Sequence, residues 1–267
     1  MKITILANRD VASNFALNRL VPVLAAQHEL SIFLSSKVGS GASVPEPLAQ
    51  LKFFEQSLFN DLLFPALACS PIDGRLLSFE VLAASVDAPL SELNKINLIE
   101  GLKTLAASQP ELILSIRYGG ILREPAIAIP RLGVLNLHSG LLPQYRGVMA
   151  SFYAMLNGDS GLGTTLHFIR DAGIDTGDIV GNTQQPLQRD HSYLWNVLQL
   201  YPAGVDLMCA AVAKLTAGVE LPVQAQVEGG NYYSFPSEDQ LRRFGELGLR
   251  LYDVQEIIDF AKYYLEP

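Results

Sequence analysis

The sequence is poor in cysteine and in positive charge. Among its 267 residues are two cysteines, Cys69 and Cys209, which lie far apart and lack the spacing of metal ligands, so we expect two reduced thiols and no metal site. The net charge of −8 argues against a surface that binds nucleic acid, because such a surface needs clustered lysine and arginine. An anionic substrate is compatible with this charge, because one pocket of an acidic protein can be basic.

Targeting and cofactor signals are also missing. The first apolar run, Ile3–Ala7, is too short for a signal peptide, and no run reaches the length of a membrane span. The turn after it lacks the G-x-G-x-x-G pattern that lets a backbone approach a dinucleotide, which argues against a nicotinamide-dependent oxidoreductase. We therefore expect a cytoplasmic protein without a membrane partner.

The apolar segments alternate between the patterns of strands and helices. Hydrophobic residues make up 49% of the chain and charged residues 17%, which permits a substantial core. Ile3–Ala7, Ala12–Ala26 and Leu30–Leu34 are typical of a strand–helix–strand unit of right-handed connection. We predict an α/β fold with a Rossmann-like, mostly parallel twisted sheet, helices on both faces, and a small C-terminal α+β extension. The expected division is a catalytic domain over residues 1–200 and an extension over residues 201–267.

Local signals predict further elements and their boundaries. A serine before a helix can accept a free N–H of its first turn, and a proline can end a helix because it lacks an N–H. We predict Ser13 as the N-cap of the first helix and a capping box of Ser237 and Gln240. A loop is expected over Ser35–Pro47, a helix over Leu48–Phe64 that stops before Pro65, and a helix or helix pair over Ser192–Ala217 around Pro202. The predicted strands are Leu76–Val81, Leu112–Ile116, Val134–Leu137, Thr164–Ile169, Ile179–Gln185 and Leu221–Val227.

Polar residues lie at the ends of two of these strands. Asn136 and His138 are separated by one residue, so their side chains point to the same face of the strand. The glycine-containing turn Asp171–Asp178 carries a third group, Asp175. An amide, an imidazole and a carboxylate suit acyl transfer without a covalent intermediate. The amide can donate to an oxyanion, the imidazole can carry a proton, and the carboxylate can orient the imidazole.

Other interpretations of this stretch have less support. Ser139, beside the histidine, lacks the G-x-S-x-G elbow of a serine nucleophile. The acidic turn lacks the spacing and the terminal glutamate of a calcium-binding loop. His167 lies inside a predicted strand, where a lone histidine is more often structural than a ligand. We therefore expect His167 to have a structural role.

Three motifs together resemble the folate-dependent formyltransferase family. They are Asn-Leu-His at Asn136–His138, Leu-Leu-Pro-Gln-Tyr-Arg-Gly at Leu141–Gly147, and Gly-Ile-Asp-Thr-Gly-Asp-Ile at Gly173–Ile179, in the order of that family and at about its separation. The family includes glycinamide ribonucleotide, methionyl-tRNA and nucleotide-sugar N-formyltransferases. Weaker similarity extends from Met1 to about Leu200. The order Ser139-Gly140 departs from many members, which have a serine immediately before the Leu-Leu-Pro.

The resemblance implies a donor, 10-formyltetrahydrofolate, and no metal or redox cofactor. Asn136 would bind the formyl oxygen, and His138 would stabilise the tetrahedral oxyanion and help proton transfer. Asp175 would keep the histidine protonated and position a water. The pterin ring would lie against two segments, largely through backbone groups. The implied donor-binding residues are Arg117, Tyr118, Gly119, Ile121, Leu122, Leu142, Ala172, Gly173 and Ile174.

The acceptor side is less well defined. Asn8 and Arg9 in the first turn, and Tyr145 and Arg146 in the Leu-Leu-Pro loop, are the candidate residues. The first turn is included because open α/β sheets bind ligands at the carboxyl ends of their strands. We expect the acceptor to be the amine of a small metabolite. A nucleotide-linked amino sugar is the first choice, because the tail segment Tyr232–Pro236 supplies aromatic surface.

Three alternatives stay open. One is an N-hydroxyornithine-type siderophore precursor as acceptor. Another is a methionyl-tRNA formyltransferase-like protein, although we do not expect tRNA as a partner, because the acidic tail offers few bases to neutralise phosphates. A non-catalytic module that binds a folate is the third. Apolar residues of the final helices can pack on the domain or on a second subunit, and we expect a homodimer. These residues are Leu241, Phe244, Leu247, Leu249 and Leu251.

Overall fold

A seven-stranded sheet is the centre of the computed structural model, which describes residues 1–36, 44–69, 74–227 and 229–266. The strands in chain order are β1 (Lys2–Asn8), β2 (Glu29–Ser35), β3 (Leu90–Glu92), β4 (Leu112–Ile116), β5 (Val134–His138), β6 (Tyr145–Gly147), β7 (Gly161–Ile169), β8 (Ile179–Pro186) and β9 (Asn231–Tyr233). The sheet has the order β3-β2-β1-β4-β5-β7-β8, in which β1 to β5 are parallel and β7 and β8 are antiparallel to their neighbours. Strands β6 and β9 form a separate parallel pair.

Helices cover both faces of this sheet. They are α1 (Val11–Ala25), α2 (Glu46–Lys52), a π-helix (Phe53–Leu63), α3 (Phe64–Cys69), α4 (Phe79–Ala84), α5 (Ile99–Ala107), α6 (Glu124–Ile127), α7 (Ala150–Asn157), α8 (Tyr193–Thr216), α9 (Glu238–Glu246), α10 (Val254–Ala261) and a final 3-10 turn (Lys262–Tyr264). Because strand side chains alternate, Ile5 packs with Leu17 of α1 on one face, whereas Leu6 packs with Leu105 of α5 on the other. The predicted Rossmann-like α/β fold is confirmed.

Side-chain caps set several helix starts. Asp10 is the N-cap of α1, where its Oδ1 accepts the Ser13 N–H at 2.8 Å, so the prediction of Ser13 as N-cap is wrong. The N-cap lies three residues earlier than predicted, because the aspartate side chain accepts the N–H three residues ahead of it. The predicted capping box at the start of α9 is confirmed, with Ser237 and Gln240 bonded in both directions.

Three predicted elements differ from the structure. Leu76–Val81 is not a strand, because Ser78 caps α4 and the third strand is β3. The helix that was expected to stop before Pro65 continues as α3, since Pro65 lies in a first turn where its missing N–H removes no needed bond. Leu221–Val227 is not a strand, because in this described segment only Gln224 forms a bridge, to Ile179. In the predicted loop Ser35–Pro47, residues 37–43 lie outside the described residues.

Helix α8 is one continuous helix of 24 residues in spite of Pro202. The expected boundary between residues 200 and 201 therefore falls inside a helix, and the division into two domains stays a prediction. By length and composition α8 would suffice to cross a membrane, which corrects the expectation that no segment is long enough. Just over half of its apolar window is buried, against α1 and strands β7 and β8, which is the situation of a core helix. Location in the cytoplasm stays a prediction.

The tail after α8 packs on the sheet domain of the same chain. Phe244 of α9 is 1% exposed and stacks on Phe152 of α7, with ring centroids 4.4 Å apart. The Tyr264 hydroxyl donates to Asn14 Oδ1 at 2.6 Å. Of the five apolar tail residues considered for a dimer contact, only Leu247 is exposed, at 45%. The others pack within the chain, and the homodimer stays a prediction.

We expect Phe244→Ala to lower the free energy of unfolding by about 3–5 kcal/mol, because it removes a fully buried aromatic ring. Urea unfolding monitored by far-UV circular dichroism should show one transition at lower denaturant. Leu247→Ala, on the same tail but exposed, is the control and should change the free energy by less than about 0.5 kcal/mol. A tail that folds independently would instead leave the main transition of Phe244→Ala unchanged.

Candidate active site

Asn136 and His138 lie at the carboxyl end of β5 and point to one face. His138 is 8% exposed, and Asn136 is half-buried. Strand β7 runs antiparallel beside β5 and places His167 opposite Asn136. The turn after β7 brings Asp175 to both histidines. The structure therefore brings together the three predicted residues and one histidine that was assigned a structural role.

The His138 ring is held between two acceptors. Its Nε2 lies 2.7 Å from the carbonyl oxygen of Tyr145, and its Nδ1 lies 3.5 Å from Asp175 Oδ2. A neutral imidazole has one N–H and so can donate to only one of them. The ring therefore has an acceptor at Nε2 and a carboxylate beside Nδ1, which fixes its orientation.

Asp175 is a buried anion with several donors around it. Its Oδ2 accepts the Gly147 N–H at 2.9 Å, and its Oδ1 lies 3.4 Å from His167 Nε2. Burial raises the pKa of Asp175, but the charge of His138, the hydrogen bond and charge of His167 and the Gly147 N–H outweigh it and lower the pKa to about 2. Asp175 also has a φ of 55°, a left-handed conformation that is uncommon for aspartate. The carboxylate is therefore fixed in position and ionised.

His167 connects Asn136 to Asp175. Its Nδ1 donates to the Phe168 carbonyl oxygen at 2.9 Å, and its Nε2 lies 3.0 Å from Asn136 Nδ2. The same Nε2 also faces Asp175 Oδ1, so Asn136 and Asp175 share this ring nitrogen. The second amide N–H has no partner among the described residues and is left for a ligand. His167 is thus buried and contacts two residues of the predicted triad, and its structural role stays a prediction.

Glycines let the Leu-Leu-Pro loop return to the histidine. A Cβ on Gly140 would lie 2.5 Å from Ala150 Cβ and 2.7 Å from His138 Nε2. The order Ser139-Gly140, which differs from many members of the resembled family, thus places a glycine where the imidazole needs space. Thr165 secures the loop, because its Oγ1 donates to the Gly140 carbonyl oxygen at 2.7 Å and accepts the Leu142 N–H at 3.1 Å.

The tail strand β9 forms the rim beside this loop. Arg146 and Tyr232 are partners in the β6–β9 pair, and the Tyr232 ring lies next to Gly147, where it would obstruct a Cβ. Tyr232 is 55% exposed. Tyr145 is buried, stacks on Tyr233 and donates its hydroxyl to Asp159 at 2.8 Å, so Tyr145 contributes to the site through its carbonyl group. The half-buried Arg146 has an Nε with no hydrogen-bond partner in the described part of the chain.

The predicted donor-binding residues follow β4 and β7, close to the triad. Arg117 makes ion pairs within the fold, and Leu122 and Leu142 are buried. Tyr118 donates its hydroxyl to the Leu93 carbonyl oxygen, and Gly119 donates its N–H to Ser35. The more exposed members are Ile121, Ala172 and Gly173, with Ile174 half-buried. Donor binding by these residues stays a prediction.

The two candidates in the first turn have internal partners. Asn8 is buried, donates to Asp10 Oδ2 at 2.7 Å and accepts from Ser35. Arg9 pairs with Glu80 at 2.7 Å. A role for Asn8 and Arg9 in acceptor binding stays a prediction. Across residues 1–36, 44–69, 74–227 and 229–266, no group of three or more His, Cys, Asp or Glu side chains is arranged to hold a metal ion.

Residues 86–193 match the sequence profile of the formyl transferase family. This segment belongs to that family. It contains all four residues of the cluster, Asn136, His138, His167 and Asp175. The resemblance given by the three motifs is therefore confirmed. The formyl transferase segment contains strands β3 to β8, whereas the first turn and the tail lie outside it.

The similar proteins differ in how much of the chain they cover. The methionyl-tRNA formyltransferase of Acidothermus cellulolyticus is 35% identical over 133 residues, which are 50% of this chain and 41% of that protein. The chain covers less than half the length of such curated relatives. The structure of WlaRD, a sugar 3N-formyl transferase with dTDP and 5-N-formyl-THF, has a TM-score of 0.55 at 20% identity and covers 88% of this chain and 70% of that one. The phosphoribosylglycinamide formyltransferase of Anaplasma phagocytophilum has a TM-score of 0.57 at 17% identity, covering 86% and 95%. At these low identities, the TM-scores show a shared fold.

The buried Asp175 carboxylate should make stability depend on acid pH. Its pKa is lowered from the ordinary 3.8 to about 2, so it favours the folded state fully above about pH 5, and this contribution is lost as the pH falls toward 2. We expect about 2 kcal/mol of the free energy of unfolding to be lost in this way. In Asp175→Asn, urea unfolding at pH 7, 5 and 3 should show a smaller acid loss than in the wild type. The exposed Asp61→Asn is the control. Equal acid slopes for Asp175→Asn and wild type would contradict the prediction.

Proposed function

We propose that this protein transfers a formyl group from 10-formyltetrahydrofolate to the amine of a small metabolite. The observation that carries the proposal is the imidazole of His138, held between the Tyr145 carbonyl oxygen and Asp175, with a free amide N–H of Asn136 beside it. An imidazole beside a carboxylate and an amide donor next to it are suited to an oxygen that gains negative charge during acyl transfer.

Each residue of the cluster has one role in the proposed reaction. The donor supplies an electrophilic formyl carbon, which the acceptor nitrogen attacks. Asn136 donates to the formyl oxygen, and His138 stabilises its developing charge and moves a proton. Asp175 keeps His138 charged and oriented. His167 orients the Asn136 amide and shares Asp175, so it is a positioning residue.

The predicted donor-binding segments have features that fit a flat ring. The exposed parts are mainly backbone and small residues, namely Ala172 and Gly173 in the turn before Asp175, together with the side chain of Ile121, which is 52% exposed. Asn97 donates to the Ile121 carbonyl oxygen at 2.7 Å and fixes that segment. We propose that the pterin ring lies between these two segments, while Arg117, Leu122 and Leu142 support them from inside the fold.

Our first choice of acceptor is a nucleotide-linked amino sugar. The exposed Tyr232 ring and the Arg146 guanidinium lie side by side at the rim, and such a pair suits stacking on a base and neutralisation of a phosphate. The similar fold of WlaRD, whose structure was solved with dTDP, supports this choice. Curated relatives named methionyl-tRNA formyltransferase favour tRNA as the second candidate. An N-hydroxyornithine-type precursor is a third acceptor to test.

An acceptor screen is the direct experiment. The protein is incubated with 10-formyltetrahydrofolate, and release of tetrahydrofolate is followed with amino-sugar nucleotides, N-hydroxyornithine and charged methionyl-tRNA. We expect release with an amino-sugar nucleotide and none without acceptor. Turnover with tRNA alone would reject the small-molecule acceptor. Binding of the folate without turnover for any acceptor would support the non-catalytic module instead.

Substitutions in the cluster should stop formyl transfer while the fold survives. We expect His138→Ala and Asp175→Asn each to lower kcat/KM by on the order of 100-fold or more, because each removes charge stabilisation of the formyl oxygen. The control is His28→Ala, which changes a histidine in the turn between α1 and β2. Circular dichroism verifies folding. Wild-type turnover in both cluster variants would reject the mechanism.

A further inference from the structure

A second group of charged side chains lies one strand away from the histidines. Arg117 follows β4, whose last residue pairs with Leu137 of β5, so Arg117 and His138 occupy adjacent positions on neighbouring strands. The Arg117 Nε lies 3.0 Å from Asp10 Oδ2, and its Nη2 lies 3.4 Å from Glu55 Oε1. We call these three residues the Arg117 cluster. It occupies the carboxyl ends of β1 and β4.

The Arg117 cluster carries one cation against two carboxylates. In the described part of the chain, the ion pairs of Asp10 and Glu55 involve only Arg117. Around them lie the phenol rings of Tyr193 and Tyr201, which are 3% and 0% exposed and offer no positive charge. Burying an uncompensated negative charge is costly, so the cluster either binds a further cation or takes up a proton.

The carboxylate that responds to this excess of negative charge is Glu55. Burial raises its pKa, the charge of Arg117 opposes the rise, and the nearby carboxylate of Asp10 reinforces it, so the pKa of Glu55 is raised to about 7. Asp175 has the opposite shift, because donors surround it. The two carboxylates therefore differ in their affinity for a proton.

A buried hydroxyl without a partner faces the Arg117 cluster. The Tyr201 hydroxyl lies near the Arg117 guanidinium and Ser139, but neither contact has the geometry of a hydrogen bond. Among the described residues it therefore has no hydrogen-bond partner, although buried hydroxyls usually have one. An additional polar group at this place would give it a partner.

Solvent reaches the Arg117 cluster at both Glu55 and Arg117. The side chains of Glu55 and Arg117 are 13% and 19% exposed, whereas Asp10 is 1% exposed. Glu55 lies on the π-helix Phe53–Leu63, and turns of this wide type often occur at functional sites. A ligand that enters here can contact the Glu55 carboxylate directly.

We propose that the Arg117 cluster is the subsite for the acceptor's ammonium group, and that Glu55 binds this group and removes its proton. An amine in water arrives as R–NH3⁺, whose positive charge complements the cluster, but only its neutral form can attack a carbonyl carbon. The inference rests on the proposed formyl transfer and adds a residue that contacts the acceptor.

One proton passes from R–NH3⁺ to the Glu55 carboxylate and then to solvent, which leaves R–NH2. The nitrogen lone pair forms the bond to the formyl carbon, and the bond from that carbon to the donor nitrogen breaks. The donor nitrogen keeps that electron pair and gains a proton, while the new amide nitrogen loses one. The net release is one proton.

Carboxyl-¹³C NMR of glutamate-labelled full-length protein tests the subsite without turnover. We expect one glutamate signal to titrate near neutral pH, to be absent in Glu55→Gln and to remain in the control Glu46→Gln, which changes an exposed glutamate on α2. Methylammonium chloride should move this titration to lower pH, whereas sodium chloride of equal concentration should not. The proposal would be overturned if Glu55 titrated in the same pH range as the other glutamates, or if methylammonium had no effect beyond that of sodium chloride.

Kinetics with the acceptor found in the screen separates this inference from the proposed function. At pH 7, Glu55→Gln should lower kcat/KM for the amine by on the order of 100-fold, and the loss should shrink as the pH rises and the amine becomes neutral. Glu46→Gln should behave as wild type. If the wild type shows no formyl transfer but methylammonium shifts Glu55, the proposed function fails and the ammonium subsite stands. If formyl transfer occurs with no loss in Glu55→Gln, the subsite is rejected alone.

Discussion

One buried carboxylate holds the active-site segments together. Asp175 faces His138 on β5 and His167 on β7, and it accepts the N–H of Gly147 in the loop between them. Each of these groups is a donor or a cation, and together they outweigh the cost of burying the charge, as the pKa of about 2 indicates. Since the carboxylate comes from a turn with a left-handed residue, its position depends on the same contacts that it stabilises. The catalytic geometry and the local fold therefore have the same physical basis.

The tail belongs to this arrangement although it lies outside the formyl transferase segment. Strand β9 pairs with β6, and the Val148 N–H donates to the Tyr233 carbonyl oxygen at 2.9 Å. This pairing holds the backbone of Gly147, whose φ of 94° and close neighbour Tyr232 both require a residue without a side chain. A change in the tail can thus reach Asp175 through one backbone N–H. The rim that we assign to the acceptor and the Asp175 carboxylate are therefore connected by backbone hydrogen bonds.

Features that depend on local sequence were predictable, and features that depend on distant pairing were not. Strands β1, β2, β4 and β5 could be predicted from short apolar runs flanked by turn residues, and the common face of Asn136 and His138 from the two-residue period of a strand. His167 was interpreted as structural because its role depends on the antiparallel pairing of β7 with β5, which no local pattern shows. The pair of Glu55 with Arg117 joins residues 62 positions apart, so no local pattern indicates it. Leu76–Val81 has the composition of a strand, but the capping bond of Ser78 favours a helix.

Two carboxylates on neighbouring parts of the sheet edge have opposite environments. Asp175 is surrounded by donors and remains ionised, and it lies beside the imidazole of His138, on the side that we propose for the formyl oxygen. Glu55 shares one guanidinium with Asp10, so its affinity for a proton is high on the side where the amine must lose one. Pairs of titratable groups whose surroundings move their pKa values apart are a general means of assigning acid and base roles. The proposed formyl transfer uses a donor at the oxygen and a proton acceptor at the nitrogen at the same pH, and the opposite environments of these two carboxylates are suited to the two roles that we propose for them.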